Sequence, residues 1–347
     1  MLGAIDSFPL YILNTLLVTS AVIILFAGTR IAGIAEGIAV RTGLGQAIVG
    51  AVFLGISTSL SGTILSIYAA ADNHPSLAIS NAVGGIAAQT FFLAIADLSY
   101  RKANLEHAAS SLENLMFGAL LTVLLSIPLV AASVADIDIF GVHPASFILI
   151  LVYVIGLHWV KRTKDDPLWK AKDTPDTQKE SKKASPHFAS MSLKRLLCEF
   201  GLLAFVTCGV GLVLARTAIV LAANTGFNET VIGGFLTSVI TSLPELVTTL
   251  AAIRRGALNL AVGDIIGGNS FDVLFLAGAD MFYRAGSLYH QMNAHHMLMM
   301  SVTVFMTGIL MMGMLRRERF GPINIGFESV LLILSYAFLV FAITFAG

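Results

Sequence analysis

The chain has 347 residues, of which 56% are hydrophobic and 12% charged, with a mean hydropathy of +0.83. An ordinary soluble domain carries about 25% charged residues. The composition therefore excludes a disordered chain, a coiled coil and a typical water-soluble enzyme, and leaves a polytopic membrane protein. The 21 basic and 21 acidic residues balance to zero, which argues against a dedicated nucleic-acid or anionic-surface binder.

A spanning helix needs roughly 20 mainly apolar residues. Ten such segments can be drawn in chain order: 9–38, 45–70, 76–99, 112–133, 144–160, 195–222, 229–253, 258–283, 295–315 and 327–345. The expected fold is an all-α polytopic membrane protein of ten transmembrane helices. The first segment is too long for a signal-peptide core, lacks a preceding basic region, and is expected to tilt or project. Residues 161–192 stand apart. They carry eight Lys or Arg with Pro167, Pro175 and Pro186, and read as a solvated linker. It divides the chain into 1–160 and 193–347, with five segments each.

With the amino terminus outside, 18 Lys and Arg fall on the inner side, against Arg284 alone on the outer side. This is a positive-inside pattern. It predicts an inner- or plasma-membrane protein with both termini outside and the linker in the cytoplasm.

The halves repeat. With an offset of 183, Thr42–Leu98 aligns with Thr225–Met281 without a gap, and 16 of 57 positions are identical. Thr58-Ser59-Leu60 matches Thr241-Ser242-Leu243, Gly84-Gly85 matches Gly267-Gly268, and Asp97 matches Asp280. Five crossings per half invert the second repeat relative to the first. Inverted repeats mark transporters, with the site at the midplane between them.

In the second repeat Pro244 cannot donate a backbone hydrogen bond and should open its helix near residue 240. The exposed carbonyls, the Thr241 and Ser242 hydroxyls and the Glu245 carboxylate would then line a cavity. Asp264, Gly268 and Asp272, at i, i+4 and i+8, share one helix face. Such an oxygen-rich set suits a hard cation, Na⁺, Ca²⁺ or Mg²⁺. Cys198 and Cys208 have no metal-ligand spacing and read as small buried hydrophobes, and His295 and His296 read as interfacial. Asp97 and Asp280 read as helix-orienting acids, and Arg30, Arg216, Glu36 and Glu199 as pairing partners rather than transport groups.

These runs resemble the sodium/calcium exchangers of the cation/calcium antiporter superfamily. Members of that family carry Gly-Thr-Ser-x-Pro-Glu and Gly-Ser-Asn-x-x-Asn/Asp in each repeat. Thr241-Ser242-Leu243-Pro244-Glu245 and Gly267-Gly268-Asn269-Ser270-Phe271-Asp272 are similar to them, with Ile240 and Gly268 as departures. In the first repeat Ser61 stands at the Pro position, Gly62 at the Glu position, Gly85 at the Ser position and Gln89 at the Asn/Asp position. The resemblance implies cation ligands at Thr58, Ser59, Thr241, Ser242, Glu245 and Asp272, with Gln89 a neutral substitute. Asp264 stands where the family usually has Asn and could restore the charge lost at Gly62. The implied activity is secondary cation antiport by alternating access, with no cofactor and no enzyme chemistry. Ca²⁺ and Na⁺ would be the transported ions and H⁺ an alternative. The partners are the lipid bilayer and inorganic cations. Against this reading stand a non-transporting cation sensor, a passive channel, and an H⁺-coupled or monovalent-cation exchanger of altered selectivity.

Overall fold

A computed structural model describes residues 2–42, 58–100, 103–137, 139–165, 167, 172, 188, 190–254, 256–319, 321 and 326–345. Among these residues the chain is helical, apart from turns and an isolated bridge between Ile139 and Val142. The first half supplies α1 (Leu10–Thr42), α2 (Leu60–Ala71), α3 (Pro75–Ser99), a short α4 (Leu105–Ala108), α5 (Leu112–Ala131) and α6 (Pro144–Asp165). The second half supplies α7 (Leu193–Thr225), α8 (Glu229–Thr241), α9 (Leu243–Arg254), α10 (Leu258–Asp272), α11 (Leu274–Phe282), α12 (Ala294–Arg316) and α13 (Phe327–Phe345).

Eight helices among the described residues are long and apolar enough to cross a membrane, and α8 with α9, bent by 43°, can be counted as a ninth. The expected ten are thus met only in part. The second expected segment, 45–70, overlaps residues 43–57, which lie outside the described ones, and its described portion is the 12-residue α2.

The repeat extends beyond the aligned core. Adding 183 converts the limits of α1 into those of α7, those of α2 into those of α9, and the outer limits of α3 into those of α10 with α11. The first residue of α6 likewise maps onto the first of α13. Side chains obey the same rule. Asp97 accepts from the Leu105 and Gly326 amides and from the Ser329 hydroxyl, at 2.7, 3.1 and 2.8 Å. Asp280 accepts from the Leu288 and His143 amides and from the Ser146 hydroxyl, at 2.9, 2.9 and 2.7 Å. Each partner set is the other shifted by 183. Each aspartate ties the end of one half's central helix to the start of the other half's last helix. His107 on the Arg317 carbonyl and His290 on the Val134 carbonyl form another such pair. Both aspartates therefore cap loops and hold helices.

α3 forms the centre, with 89% of its apolar window buried, and α10 and α11 lie beside it. α1 and α7 pack along each other at the periphery, and only 17% of the α7 window is covered by protein. Arg30 of α1 pairs with Glu199 of α7 at 2.9 Å. Arg216 of α7 pairs with Asp6 and Asp72 at 2.5 and 2.6 Å. The Glu36 side chain lies outside the described ones.

Two expectations need correction. Cys198 is exposed and Cys208 half-buried, because α7 offers that face outward, where little protein covers it. His296 is fully buried rather than interfacial. It closes the capping box at the start of α12, and its Nε2 meets the Ser80 hydroxyl at 3.1 Å. His295 is half-buried on the same turn.

Candidate functional site

Each half contributes a helix start and a central helix. The α8–α9 connection turns at Ser242, just before Pro244, where the ring removes a donor and bends the path. A π-helical stretch, Ile232–Thr237, precedes the bend. It brings Gly234 so near Gly84 of α3 that a Cβ at Gly84 would overlap the Gly234 backbone. The glycines let α8 and α3 cross with backbones nearly touching. This crossing brings the two motif regions together.

Glu245 and Asp272 are both buried at this junction. The Ser59 hydroxyl donates to Glu245 Oε1 at 3.4 Å, and the Thr58 hydroxyl also bonds that carboxylate. Gln89 Nε2 donates to Asp272 Oδ2 at 2.7 Å and to the Ser242 hydroxyl at 3.2 Å. Ser59 reaches Asp272 as well. Five of the expected residues, Thr58, Ser59, Ser242, Glu245 and Asp272, thus meet around Gln89. The remaining acceptors, Glu245 Oε2, Asp272 Oδ1 and Gln89 Oε1, are buried without a hydrogen-bond partner.

Thr241 and Asp264 are placed differently. The Thr241 hydroxyl donates back to the Ser238 carbonyl at 3.1 Å, within its own helix. Asp264 lies two turns before Asp272, about 12 Å along α10. It is buried and accepts from the Thr248 hydroxyl at 3.1 Å, and that hydroxyl also reaches the Glu245 carbonyl at 3.1 Å. Thr248 was not among the expected residues, although its spacing of three from Glu245 puts both on one helix face. At the position equivalent to Asp264, Asn81 donates to the Gly62 carbonyl and the Ser66 hydroxyl at 3.2 and 3.0 Å and accepts from Thr237 at 3.0 Å.

Gly62 occupies the place where a first-repeat carboxylate was expected. A Cβ there would stand 2.9 Å from the Phe275 ring and 3.6 Å from the Thr241 hydroxyl. Phe275 is buried and stacks edge-on against Phe271, with ring centres 6.0 Å apart. The space of the absent acid is filled by an aromatic ring. Among the described residues, neither Glu245 nor Asp272 has a cationic partner, and no three His, Cys, Asp or Glu side chains converge to hold an ion by themselves. Ligation of an ion here would need the neutral oxygens of Ser59, Thr58, Ser242 and Gln89 beside the two carboxylates. Buried acids without counter-charge are costly, and that cost is relieved by a proton or a cation.

Comparison with known proteins gives a consistent result. The family described as sodium/calcium exchanger protein matches residues 13–161 and 196–345, once in each half. The inner membrane protein YrbG of Escherichia coli K12 is 25% identical over 285 residues, covering 79% of this chain and 81% of that protein. The solved sodium-calcium exchanger NCX_Mj superposes with a TM-score of 0.57 at 22% identity, covering 97% of this chain and 99% of that one. The crystal structure of the H⁺/Ca²⁺ exchanger CAX superposes with a TM-score of 0.66 at 14% identity, covering 96% and 84%.

Proposed function

The chain belongs to the sodium/calcium exchanger protein family, and from that membership we propose that it is a secondary antiporter exchanging Ca²⁺ for Na⁺ or H⁺. The observation that carries the reading is the set of buried acceptor oxygens on Glu245, Asp272 and Gln89, which lack donors. Thr58, Ser59 and Ser242 complete the ligand set, and Asp264 joins through Thr248 as an additional acid. Thr241 serves by the carbonyls around the break rather than by its hydroxyl.

Two carboxylates match one divalent or two monovalent cations, because excess charge at low dielectric is expensive. With Phe275 over Gly62, the first repeat adds no third charge to this pair, and Asp264, two turns from Asp272 on α10, lies outside the direct ligands. Exchange of one Ca²⁺ for two monovalent ions would then move no net charge. Coupling to H⁺ is favoured by the same geometry, since each acid can take a proton where ligands are few.

In this reading ten helices form two inverted five-helix repeats, 1–160 and 193–347, joined by a cytoplasmic 161–192 linker. Both termini lie outside, supported by the excess of basic residues on the linker side. α2, α3 and α8–α11 hold the ions, while α1 and α7 slide across them to expose one face at a time.

The test is flux into proteoliposomes. An outward Na⁺ or H⁺ gradient should drive uptake of radiolabelled Ca²⁺, and Glu245→Gln should abolish it. Clamping the membrane potential should leave the wild-type rate unchanged. Uptake without either gradient, driven by voltage alone, would mean a channel. Calcium-dependent stabilisation without any flux would mean a sensor.

A further inference from the structure

A cavity at the Pro144 end of α6 takes no part in the cation site. It lies between the turn before α6 and the turn after α11, and encloses about 160 Å³. That exceeds the space of a single water many times. Asp136, Gly141, His143, Arg284, Gly286 and Ser287 contribute to its lining.

Among the lining side chains, Arg284, His143 and Ser287 can donate, and Asp136 is a carboxylate. The Ala145 amide donates to His143 Nδ1 at 3.1 Å. In the neutral ring the proton is then on Nε2, and burial keeps this imidazole below its ordinary pKa. His143 Nε2 and the Ser287 hydroxyl are both buried and without a hydrogen-bond partner. Arg284 lies alongside, with Nη1 3.4 Å from where a Gly141 Cβ would be. The carboxylate in the lining, Asp136, faces His290 Nδ1 at 3.5 Å. A guanidinium, an imidazole N–H and a hydroxyl around one space fit an oxyanion.

The neighbouring turn indicates where that oxyanion comes from. Phe140 has φ 57° and is 98% exposed, and Ile137 and Ile139 beside it are also exposed. An aromatic residue in the left-handed region is a costly conformation. Here it leaves the ring almost wholly exposed at one end of α6, a spanning helix. Trp and Tyr concentrate where headgroups meet acyl chains, and Trp, Phe and Leu form the apolar faces that bury at that boundary.

We propose that this cavity seats the phosphodiester of a phospholipid headgroup, with Arg284, His143 and Ser287 as donors and the Phe140 turn inserted among the lipid chains beside it. The assignment is independent of which ions the protein moves. It is tested on the purified full chain in non-ionic detergent, by thermal unfolding titrated with short-chain phosphatidylglycerol or with inorganic phosphate. The lipid should raise Tm saturably. Arg284→Gln removes a charge-assisted bond and should raise the half-saturating lipid concentration about tenfold. Phe140→Ser should raise it too, and because Phe140 is almost wholly exposed this variant should keep its lipid-free Tm. Equal titrations for wild type and both variants would overturn the proposal. A full shift with inorganic phosphate, unaffected by Phe140→Ser, would replace the lipid by a free oxyanion and overturn it as stated.

Discussion

At Gly62 the Phe275 ring stands in the path of any side chain. Gly62→Glu should therefore lower stability by about 1–3 kcal/mol through overpacking, and Phe275→Ala by about 3–5 kcal/mol through the cavity it leaves. In the double variant the new carboxylate enters the vacated space. Its loss should be smaller than the sum of the singles, and added Ca²⁺ should raise its Tm more than that of wild type. A thermal-unfolding cycle with and without Ca²⁺ checks both. A second case is Glu106, buried in α4 between two spans, where burial first and the Asp97 charge second push its carboxyl up to about 8 from 4.5. The folded protein holds this proton while the unfolded chain has lost it. The contribution is present below pH 4.5, is lost as pH rises to about 8, and is flat beyond. Glu106→Gln should flatten a plot of Tm against pH across that window. Glu245 and Asp272 were legible in sequence because acids inside apolar segments are conspicuous. Thr241 and Thr248 are the same residue type and both hydroxyls turn back on the carbonyl three residues earlier; only the packing of α9 against α10 brings the Asp264 carboxylate within reach of the second.

Among the elements, the break between α8 and α9 follows from Pro244 and was readable, whereas the π-helical stretch before it was not. That stretch is set by the close crossing with α3, a tertiary demand that Gly233-Gly234 permits but does not announce. α1 also touches the break directly: a Cβ on Gly28 would overlap the Pro244 ring. A proline ring cannot swing aside, so α1 itself must move. Gly28→Ala should bias α1 away from the core in this conformation and slow exchange by about fivefold or more, since 1–3 kcal/mol of overpacking is applied to one of two states. The Ca²⁺-induced rise in Tm should persist, because no ligand is altered. Parallel flux and thermal measurements separate the two effects. The second expected helix could be compared over α2 alone, whose short length places its start, like that of α9, at the site.

Across the whole molecule, the offset of 183 was legible only where Thr, Ser, Gly and Asp coincide. The outer helices repeat in length and packing with little shared sequence, since many apolar side chains can meet the same burial. The crossed aspartate caps make the halves interdependent: Asp97 needs Gly326 and Ser329, and Asp280 needs His143 and Ser146. Each half expressed alone should leave one cap set unpaired and fail to give a monodisperse species in detergent. Both halves expressed together from a chain cut within 161–192 should assemble and regain the cation-dependent rise in Tm. Size-exclusion profiles and melting curves check this. The pairing of Gly62 with Glu245 has a further consequence for how such a chain can change over time. In an antiparallel homodimer of one five-helix unit, every substitution occurs twice, so losing one glutamate means losing both. Joining the copies in a single polypeptide frees each position to drift alone. A one-sided charge deficit, covered by one phenylalanine, is open only to the fused form, and its selectivity can be tuned on one side of the pseudo-twofold while the other side stays unchanged.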